Sequence, residues 1–516
     1  MLFSPFLCKS LNHTSGSPLL GRGTAPEGAR EVLRPHRWLL LPLLLVLGKP
    51  VHAQTTLPET ITQALDHSAA GQQALTNRET GYWAWRGYQA NYRPQLGLAG
   101  TLPYYSHGIL AVGQPDGTTQ FQVVHNNFSE SSLTLSQNIG PTGGQVIVGA
   151  TVQRTDVFNN PLGAYHNYNN QPVTLGIVQP LGQFNALKWA RAIEPLRFQE
   201  SQRSYVEERE TVAQRVTELY FDVLLQQVNA AVAGQNAQAT AELLRIGRER
   251  FALGRLSQSD LLQLELNLLD ARQARNQARL DAQSAAVALQ GYTGQPAAES
   301  PPTLAVPVPA PQPAVVPAQA LAEARQHRST TLTFRRRLLQ AERDVAQARG
   351  TTGFQAALTA NLGYVNQARD FTDTYTNLRD QQQVRLSFSL PLLDWGRRQA
   401  IVKTAELARD QAHHNVAQEE RSFEQTVLAQ AGQQPALVEQ IQLAGRADSL
   451  AQRRYDIARA TYLLGRISLT DLTLASLAKD GARRGYIFAL RAGWVGYYRL
   501  RALTLYDFEN QTPLLK

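Results

Sequence analysis

Cysteine and methionine are almost absent from this 516-residue chain, which holds one of each. Cys8 and Met1 both lie in residues 1–53, which are expected to be removed as a signal peptide. The mature chain would then hold neither residue. Such a chain has no disulfide, no thiolate metal site and no cysteine nucleophile.

Long apolar runs are also scarce. The longest, Trp38–Leu47, has ten residues. It follows the basic residues Arg30, Arg34 and Arg37 and precedes a small-residue site ending at Ala53. Ten residues are too few to span a bilayer as a helix, so this pattern predicts a secretory signal peptide over residues 1–53. No later run is long enough for a transmembrane helix.

The known sequence signatures of enzymes and metal sites are missing as well. The chain holds no G-x-S-x-G, P-loop or H-E-x-x-H pattern. His413 and His414 are adjacent, so they do not share a helix face and do not suggest a metal site. These observations predict a chain that is not an enzyme and that has no cofactor.

Charge gives no indication of nucleic-acid binding. The net charge is +9, and residues 1–53 contribute six Lys/Arg and two Glu, which leaves +9 − 4 = +5 for the mature chain. These charges are spread along the sequence. A diffuse charge of this size is typical of a solvated surface.

A duplicated segment is the main feature that is present. LGRLSQSDL at 253–261 returns as LGRISLTDL at 464–472, at an offset of 211 residues. Pro180 and Pro391, each within a Pro-Leu pair, have the same offset. Two gap-free copies indicate a duplicated structural unit.

The strands that precede each copy have a different offset. Residues 95–105 alternate as a strand does, and their counterpart at 355–364 lies 260 residues later. The first half therefore holds 260 − 211 = 49 extra residues, which include a hairpin signature with its turn at 140–144. This hairpin is expected either to join the sheet or to fold over its rim. Six aromatic residues are expected either to form an interfacial girdle or to pack ordinarily: Tyr104, Tyr105, Phe121, Phe128, Tyr165 and Tyr168.

Long helices follow the strands in each half. Residues 185–253 are rich in Ala, Gln, Leu and Arg and predict a helix of roughly 100 Å. A second helix returns through residues 261–291, and its counterpart spans 472 to about 506. Residues 57–90 also read as helix, and 370–383 as a polar loop before a strand at 384–390.

The repeated phrase predicts the tip of a helical hairpin. Gly254 and Gly465 suit the left-handed residue that ends a helix. Ser257 and Ser468 begin Ser-x-x-Asp patterns, ending at Asp260 and Asp471, that resemble the capping box of the next helix. On the residues alone, the two aspartates either cap these helices or surround a pore.

Taken together, these features resemble those of the TolC family of outer-membrane efflux ducts. The resemblance covers residues from about 55 to 508. The resemblance depends on the duplication, on QPLGQF at 179–184 and PLLDWG at 391–396, and on the two Gly-Arg tips. It implies a mostly α fold with a membrane β-barrel. Long helical hairpins would form a trimeric α-barrel in the periplasm, and four strands from each protomer would form a shared antiparallel barrel in the outer-membrane lipid.

The resemblance also implies the partners and the site residues. A homotrimer would meet a periplasmic adaptor and, through it, an inner-membrane pump. The adaptor-contacting tips fall on Gly254, Arg255, Leu256, Gly465, Arg466 and Ile467. The pore constriction falls on Asp471, with Asp260 as a second candidate. The best-known member of the family has a second aspartate three residues after the one that matches Asp471. This chain has Leu474 at that position, so the ring of charges that selects ions would be weaker or built differently.

These observations predict the domain organisation and the function. A signal peptide (1–53) precedes a first repeat (54–300), a Pro-rich linker (301–318), a second repeat (319–508) and a tail (509–516). The expected function is the outer-membrane channel of a tripartite efflux system for small molecules. The alternatives are a type I protein-secretion duct and, from another class, a periplasmic coiled-coil scaffold.

Overall fold

The computed structural model describes residues 55–113, 116–158, 163–296, 303–311 and 313–515. The predicted signal peptide lies outside this part of the chain. None of the helices in these ranges is long and apolar enough to cross a membrane.

The duplication is visible in the helix lengths. The first long helix of each half has 67 residues, or about 100 Å, and the helix that returns from it has 36. The bounds in chain order are α1 Leu57–His67, α2 Ala69–Ala90, α3 Ala186–Ala252, α4 Gln258–Thr293, α5 Pro317–His327, α6 Ser329–Thr352, α7 Arg397–Leu463 and α8 Leu469–Thr504. α3 and α4 match α7 and α8 at an offset of 211, and α1 matches α5 at 260.

Residues 57–90 form two helices, whereas the sequence predicted one. The break is at Ser68, whose backbone is extended and whose Oγ accepts a hydrogen bond of 2.9 Å from the Gly71 amide. Serine in this position satisfies one of the free amides at the start of α2. Apolar periodicity continues across such a cap, so the pattern alone does not reveal it.

The strands form one antiparallel sheet in the order β1-β2-β3-β4-β5-β6. The bounds are β1 Gln95–Gly113, β2 Thr119–Ile139, β3 Gly144–Val157, β4 Tyr165–Leu181, β5 Gln355–Ala368 and β6 Arg379–Ser389. The extra hairpin of the first half is β2 and β3, which lie within the sheet between β1 and β4. A two-stranded ribbon, β7 Tyr506–Asp507 with β8 Thr512–Pro513, follows α8.

The polar loop predicted at 370–383 is shorter in the structure. It contains a 3-10 turn, Thr372–Tyr375, and then β6 begins at Arg379. Asp380 pairs with Tyr364 and Gln381 with Gly363 on β5. Cross-strand pairing therefore extends the strand through residues that have little strand propensity of their own.

The core lies where the short helices pack on α3. Tyr220 and Phe221 are wholly buried there. The Tyr220 Oη lies 2.6 Å from the Ala305 carbonyl oxygen and 2.9 Å from that of Thr55. Burial raises the pKa of Tyr220 to about 12, so the hydroxyl keeps its proton at neutral pH. One side chain thus ties the first described residue and the linker to the first long helix.

We expect Tyr220→Phe to destabilise the protein by about 1–2 kcal/mol, because the Ala305 carbonyl loses the hydroxyl as its donor and the Thr55 carbonyl keeps only its hydrogen bond from the Ala305 amide. Thermal unfolding followed by circular dichroism measures the loss. The control is Tyr375→Phe, at a side chain that is 51% exposed. Equal midpoints for the two variants would show that the Tyr220 hydroxyl contributes no stability.

Candidate functional site: a two-faced sheet and two helical tips

One face of the six-stranded sheet is apolar and open. Residues directly opposite each other in an antiparallel sheet point to the same side. One such row has apolar members, each between 40% and 68% exposed, on five strands and reaches β6 at the polar Gln382: Leu96, Leu135, Val148, Leu175 and Leu362. The next row continues with Val146, Ile177, Ala360 and Val384. Exposed apolar surface of this extent marks a contact with lipid or with protein.

The opposite face of the same strands is polar. The row that alternates with the first one holds Gln95, Ser136, Ile147, Gly176, Asn361 and Gln383. Its neighbour holds Gly97, Thr134, Gly149, Thr174, Gly363 and Gln381. Hydroxyl and amide side chains of this kind suit water. The sheet therefore separates an apolar side from an aqueous one.

The six aromatic residues divide between the two faces. Tyr105, Phe121 and Tyr168 share the apolar face, whereas Tyr104, Phe128 and Tyr165 lie on the polar one. Tyr168 stacks edge to face with Phe371, at 5.7 Å between ring centroids, beside the 3-10 turn. The aromatic residues therefore do not form one row on a single face, and the interfacial girdle stays a prediction.

The two Gly-Arg tips have nearly the same backbone geometry. Gly254 and Gly465 have φ of +69° and +74°, the left-handed region that favours glycine. In the first tip the Arg255 amide donates to the Arg250 carbonyl at 2.8 Å. In the second, the Arg466 amide donates to Thr461 at 3.1 Å. This is the pairing of a Schellman motif, which ends a helix and turns the chain back.

The next helix begins at once in both tips, and here the copies differ. Ser257 and Ser468 each accept a hydrogen bond of 3.1 Å from the amide of the aspartate three residues on. Only Asp471 also accepts one from the Ser468 amide, at 3.2 Å, which completes a capping box. Hydrogen bonds from the Ser468 hydroxyl and amide lower the pKa of Asp471.

The tips present apolar side chains to solvent and lie beside each other. Leu253 and Leu464 are 71% and 69% exposed. Arg250 Nη2 donates to the Leu463 carbonyl at 3.2 Å, which joins α3 to the end of α7. Leu469, at the start of α8, packs with Leu256 and the buried Leu264. The sequence-predicted tip residues therefore form one surface, whereas Leu474 is separately exposed further along α8.

A buried ion pair behind the tips was missed by the sequence analysis. The Lys479 ammonium lies 3.3 Å from Asp480 Oδ1, and both side chains are at most 10% exposed. Asn236 Nδ2 on α3 donates to Asp480 Oδ2 at 2.7 Å. Lys479 also lies over the Tyr455 ring, at 4.3 Å. Adjacent opposite charges on a long helix usually mark a solvated face, so nothing in the sequence singled out this link between α3 and α8.

A cavity of about 640 Å³ adjoins this pair. Its walls come from α3, α4, α7 and α8 and include Asp270, Leu472 and Arg484. In the part of the chain that the structure describes, no group of three or more His, Cys, Asp or Glu residues is placed to hold a metal. The cavity therefore leaves space between the two helical hairpins just behind their tips.

Comparison with known proteins gives a consistent set of matches. The model of the family described as "Outer membrane efflux protein" matches residues 145–295. No protein in the curated set matches significantly. Several solved structures match over most of their length.

Three of these structures show the range of similarity. The Campylobacter jejuni CmeC outer membrane channel has a TM-score of 0.62 at 16% identity and covers 89% of this chain and 87% of its own. The Vibrio cholerae outer membrane protein VceC has 0.60 at 16%, covering 87% and 96%. The open state of the Neisseria gonorrhoeae MtrE outer membrane channel has 0.56 at 16%, covering 87% and 88%. At these identities the likeness shows the fold.

We expect Asp480→Ala to destabilise the packing of α3 on α8 by about 3–5 kcal/mol, because Lys479 is left buried without its counter-ion. Faster amide hydrogen exchange around Asn236 and Lys479 measures the effect. Asp456→Ala is the control, since this aspartate is exposed on α7. The double variant Lys479→Met, Asp480→Leu removes both charges and should recover much of the loss. Unchanged exchange in Asp480→Ala would contradict a structural role for the pair.

We expect Ser468→Ala to cost about 1 kcal/mol locally and to weaken protection of the first turn of α8. Because the pKa of Asp471 is lowered, its stabilisation is present above the ordinary carboxyl pKa of about 3.9 and declines as the pH falls through the lowered value. Hydrogen exchange of residues 469–472, corrected for intrinsic rates, tests both effects. Ser449→Ala is the control, because that hydroxyl only donates within α7. Protection that is the same in both variants would argue against the cap.

Proposed function

We propose that the chain is an outer-membrane efflux channel of the outer membrane efflux protein family, and that it works as a homotrimer that receives its cargo from a periplasmic adaptor and an inner-membrane pump. The observation that carries this proposal is the two-faced sheet at one end of helices about 100 Å long. The sheet suits a membrane wall, and the helices suit a periplasmic tube.

The dimensions of the apolar face support placement in a bilayer. On β5 it extends from Ala356 to Tyr364, which is about 27 Å along the strand at 3.3–3.4 Å per residue and about 20 Å in height at a barrel tilt of about 40°. Membrane barrels have an apolar band about 25 Å tall with aromatic residues at its margins. Tyr168 and Phe371 lie beyond the apolar rows at one end, where such a margin is expected.

Assembly with other copies of the chain is supported by the open edges of the sheet. Among the described residues, β1 and β6 each pair on one side only. β6 is exposed along its whole length, and Trp395 just after it is 90% exposed. A cyclic homo-oligomer pairs each β6 with the β1 of the next copy and removes every edge.

The tips are the proposed adaptor contact. The turn residues Gly254 to Leu256 and Gly465 to Ile467 lie at the ends of the helices that are farthest from the sheet along the chain. Leu253 and Leu464, which directly precede these turns, are exposed and give an apolar surface next to the two arginines. A partner that matches this surface would bury the leucines, which monomeric proteins seldom expose in groups.

The proposed gate lies just behind the tips. Three copies of Asp471 would form an acidic ring, with Asp260 as a second carboxylate from the other hairpin. Three residues after Asp471 the chain has the apolar Leu474. The second helical hairpin therefore contributes one aspartate to the gate, where that of the best-known family member contributes two. Opening would untwist the tip helices, a two-state packing change. The Asn236–Asp480 hydrogen bond opposes it by coupling α3 to α8.

A periplasmic coiled-coil scaffold is disfavoured by the sheet. A scaffold needs the long helices but has no use for six strands with one apolar face. Its sheet would also leave exposed edges and an open apolar surface in water, both of which promote aggregation.

We expect Gly465→Val to weaken efflux without affecting insertion in the outer membrane. Valine is strained at φ of +74°, by roughly 1–2 kcal/mol, so the tip changes shape while the sheet does not. The measurement is efflux of a fluorescent dye from cells that depend on this channel, together with its recovery in the outer-membrane fraction. Gly432→Val is the control, at a helical position of α7 with open space around it.

Normal insertion with several-fold slower efflux is the predicted result for Gly465→Val. Loss of insertion would show that this tip serves folding. Normal efflux by both variants would contradict a contact between the tip and an adaptor.

A further inference from the structure

We propose that all six strands of the chain enter the membrane wall, so that the trimer forms an eighteen-stranded barrel. This inference rests on the trimer of the proposed function. It departs from the resemblance described above, which implies four strands from each protomer and twelve in the barrel. The added strands are β2 and β3, which the 49 extra residues supply.

Backbone pairing makes the hairpin part of the sheet. β2 pairs with β3 without a break from Asn126, opposite Val157, to Ile139, opposite Gly144. β2 also pairs with β1, and β3 with β4, along most of their lengths. The hairpin therefore separates β1 from β4, which would be neighbours without it. A hairpin folded over the rim would leave β1 and β4 paired with each other.

The side chains of the hairpin continue both faces of the sheet. Leu135 and Val148 occupy the same apolar row as Leu96 on one side and Leu175 on the other. Leu133 is opposite Leu98 and continues the row beside it. On the reverse face, Thr134 and Gly149 lie between Gly97 and Thr174. In a segment outside the wall, the alternation of apolar and polar side chains would not be expected to stay in register with that of β1 and β4.

The hairpin turn is fixed at the end of the sheet from which the helices leave. Asn185, which caps α3, donates through Nδ2 to the carbonyls of Gly140 and Pro141, both at 3.0 Å. Gln137 donates to the Tyr92 carbonyl at 2.8 Å, just after α2. The turn between β2 and β3 therefore lies at the same end of the sheet as the start of β1 and the end of β4, and the two strands of the hairpin extend from there alongside them.

The strand number allows the barrel to close. With six strands in alternating directions, β6 runs opposite to β1, so β6 of one copy meets β1 of the next in antiparallel pairing. Three copies give 18 strands. Barrel diameter grows roughly in proportion to strand number, so this barrel would be about 1.5 times as wide as one of twelve. The exit would then admit bulkier cargo, and selection by size would depend on the helical tips.

Single-particle imaging of the full chain in lipid nanodiscs tests the inference. The expected result is a three-fold tube with eighteen strands in the barrel. A three-fold tube with twelve strands, and the hairpin outside the wall, would overturn the inference and leave the proposed function intact. Particles without a three-fold tube would overturn the proposed function.

A deletion of residues 115–163 provides the matched variant. It removes 49 residues, the difference between the two repeat offsets, and joins β1 to β4 as antiparallel neighbours. We expect its barrel to have twelve strands and to be about two thirds as wide as that of the full chain. Equal widths in the two proteins would contradict the inference. If the deletion variant does not insert, the strand count of the full chain decides.

Discussion

The unpaired edges of the sheet are the constraint on which the rest of the structure depends. In lipid, every backbone amide and carbonyl without a partner costs several kcal/mol. The sheet of one chain has two such edges, β1 and β6, so it cannot remain open in the membrane. In the proposed trimer, pairing of β6 with β1 of the next copy would remove this cost and would also place the helices of successive copies side by side around one axis.

The gap-free duplication of the helices follows from this geometry. Both hairpins of a protomer start from the same sheet and must end at the same level if their tips are to form one surface. α3 and α7 have equal lengths, as do α4 and α8, and both tips end in a Schellman motif. The 49 extra residues lie between β1 and β4, where they widen the sheet by two strands without changing the length of a helix.

Much of this was predictable from sequence because it depends on local patterns. The offset of 211, the tip glycines and the Ser-x-x-Asp caps each follow from a few neighbouring residues. The long helices α3, α4 and α8 lie within a few residues of their predicted bounds. The position of the extra hairpin was not predictable, because it depends on pairing between Leu96 and Leu135, and between Val148 and Leu175, which are far apart in the chain. The buried pair of Lys479 and Asp480 was missed for a similar reason, since its contacts are with Asn236 on α3 and Tyr455 on α7.

Labelling of two adjacent residues on β5 tests the two-faced sheet most directly. The mature chain is expected to hold no cysteine, so Leu362→Cys and Asn361→Cys each introduce a single thiol. In outer membranes, Leu362→Cys should react with a probe that dissolves in lipid and resist a water-soluble maleimide, whereas Asn361→Cys should do the opposite. Equal reaction of both thiols with the water-soluble reagent would contradict the account, because the apolar face would then not lie against lipid.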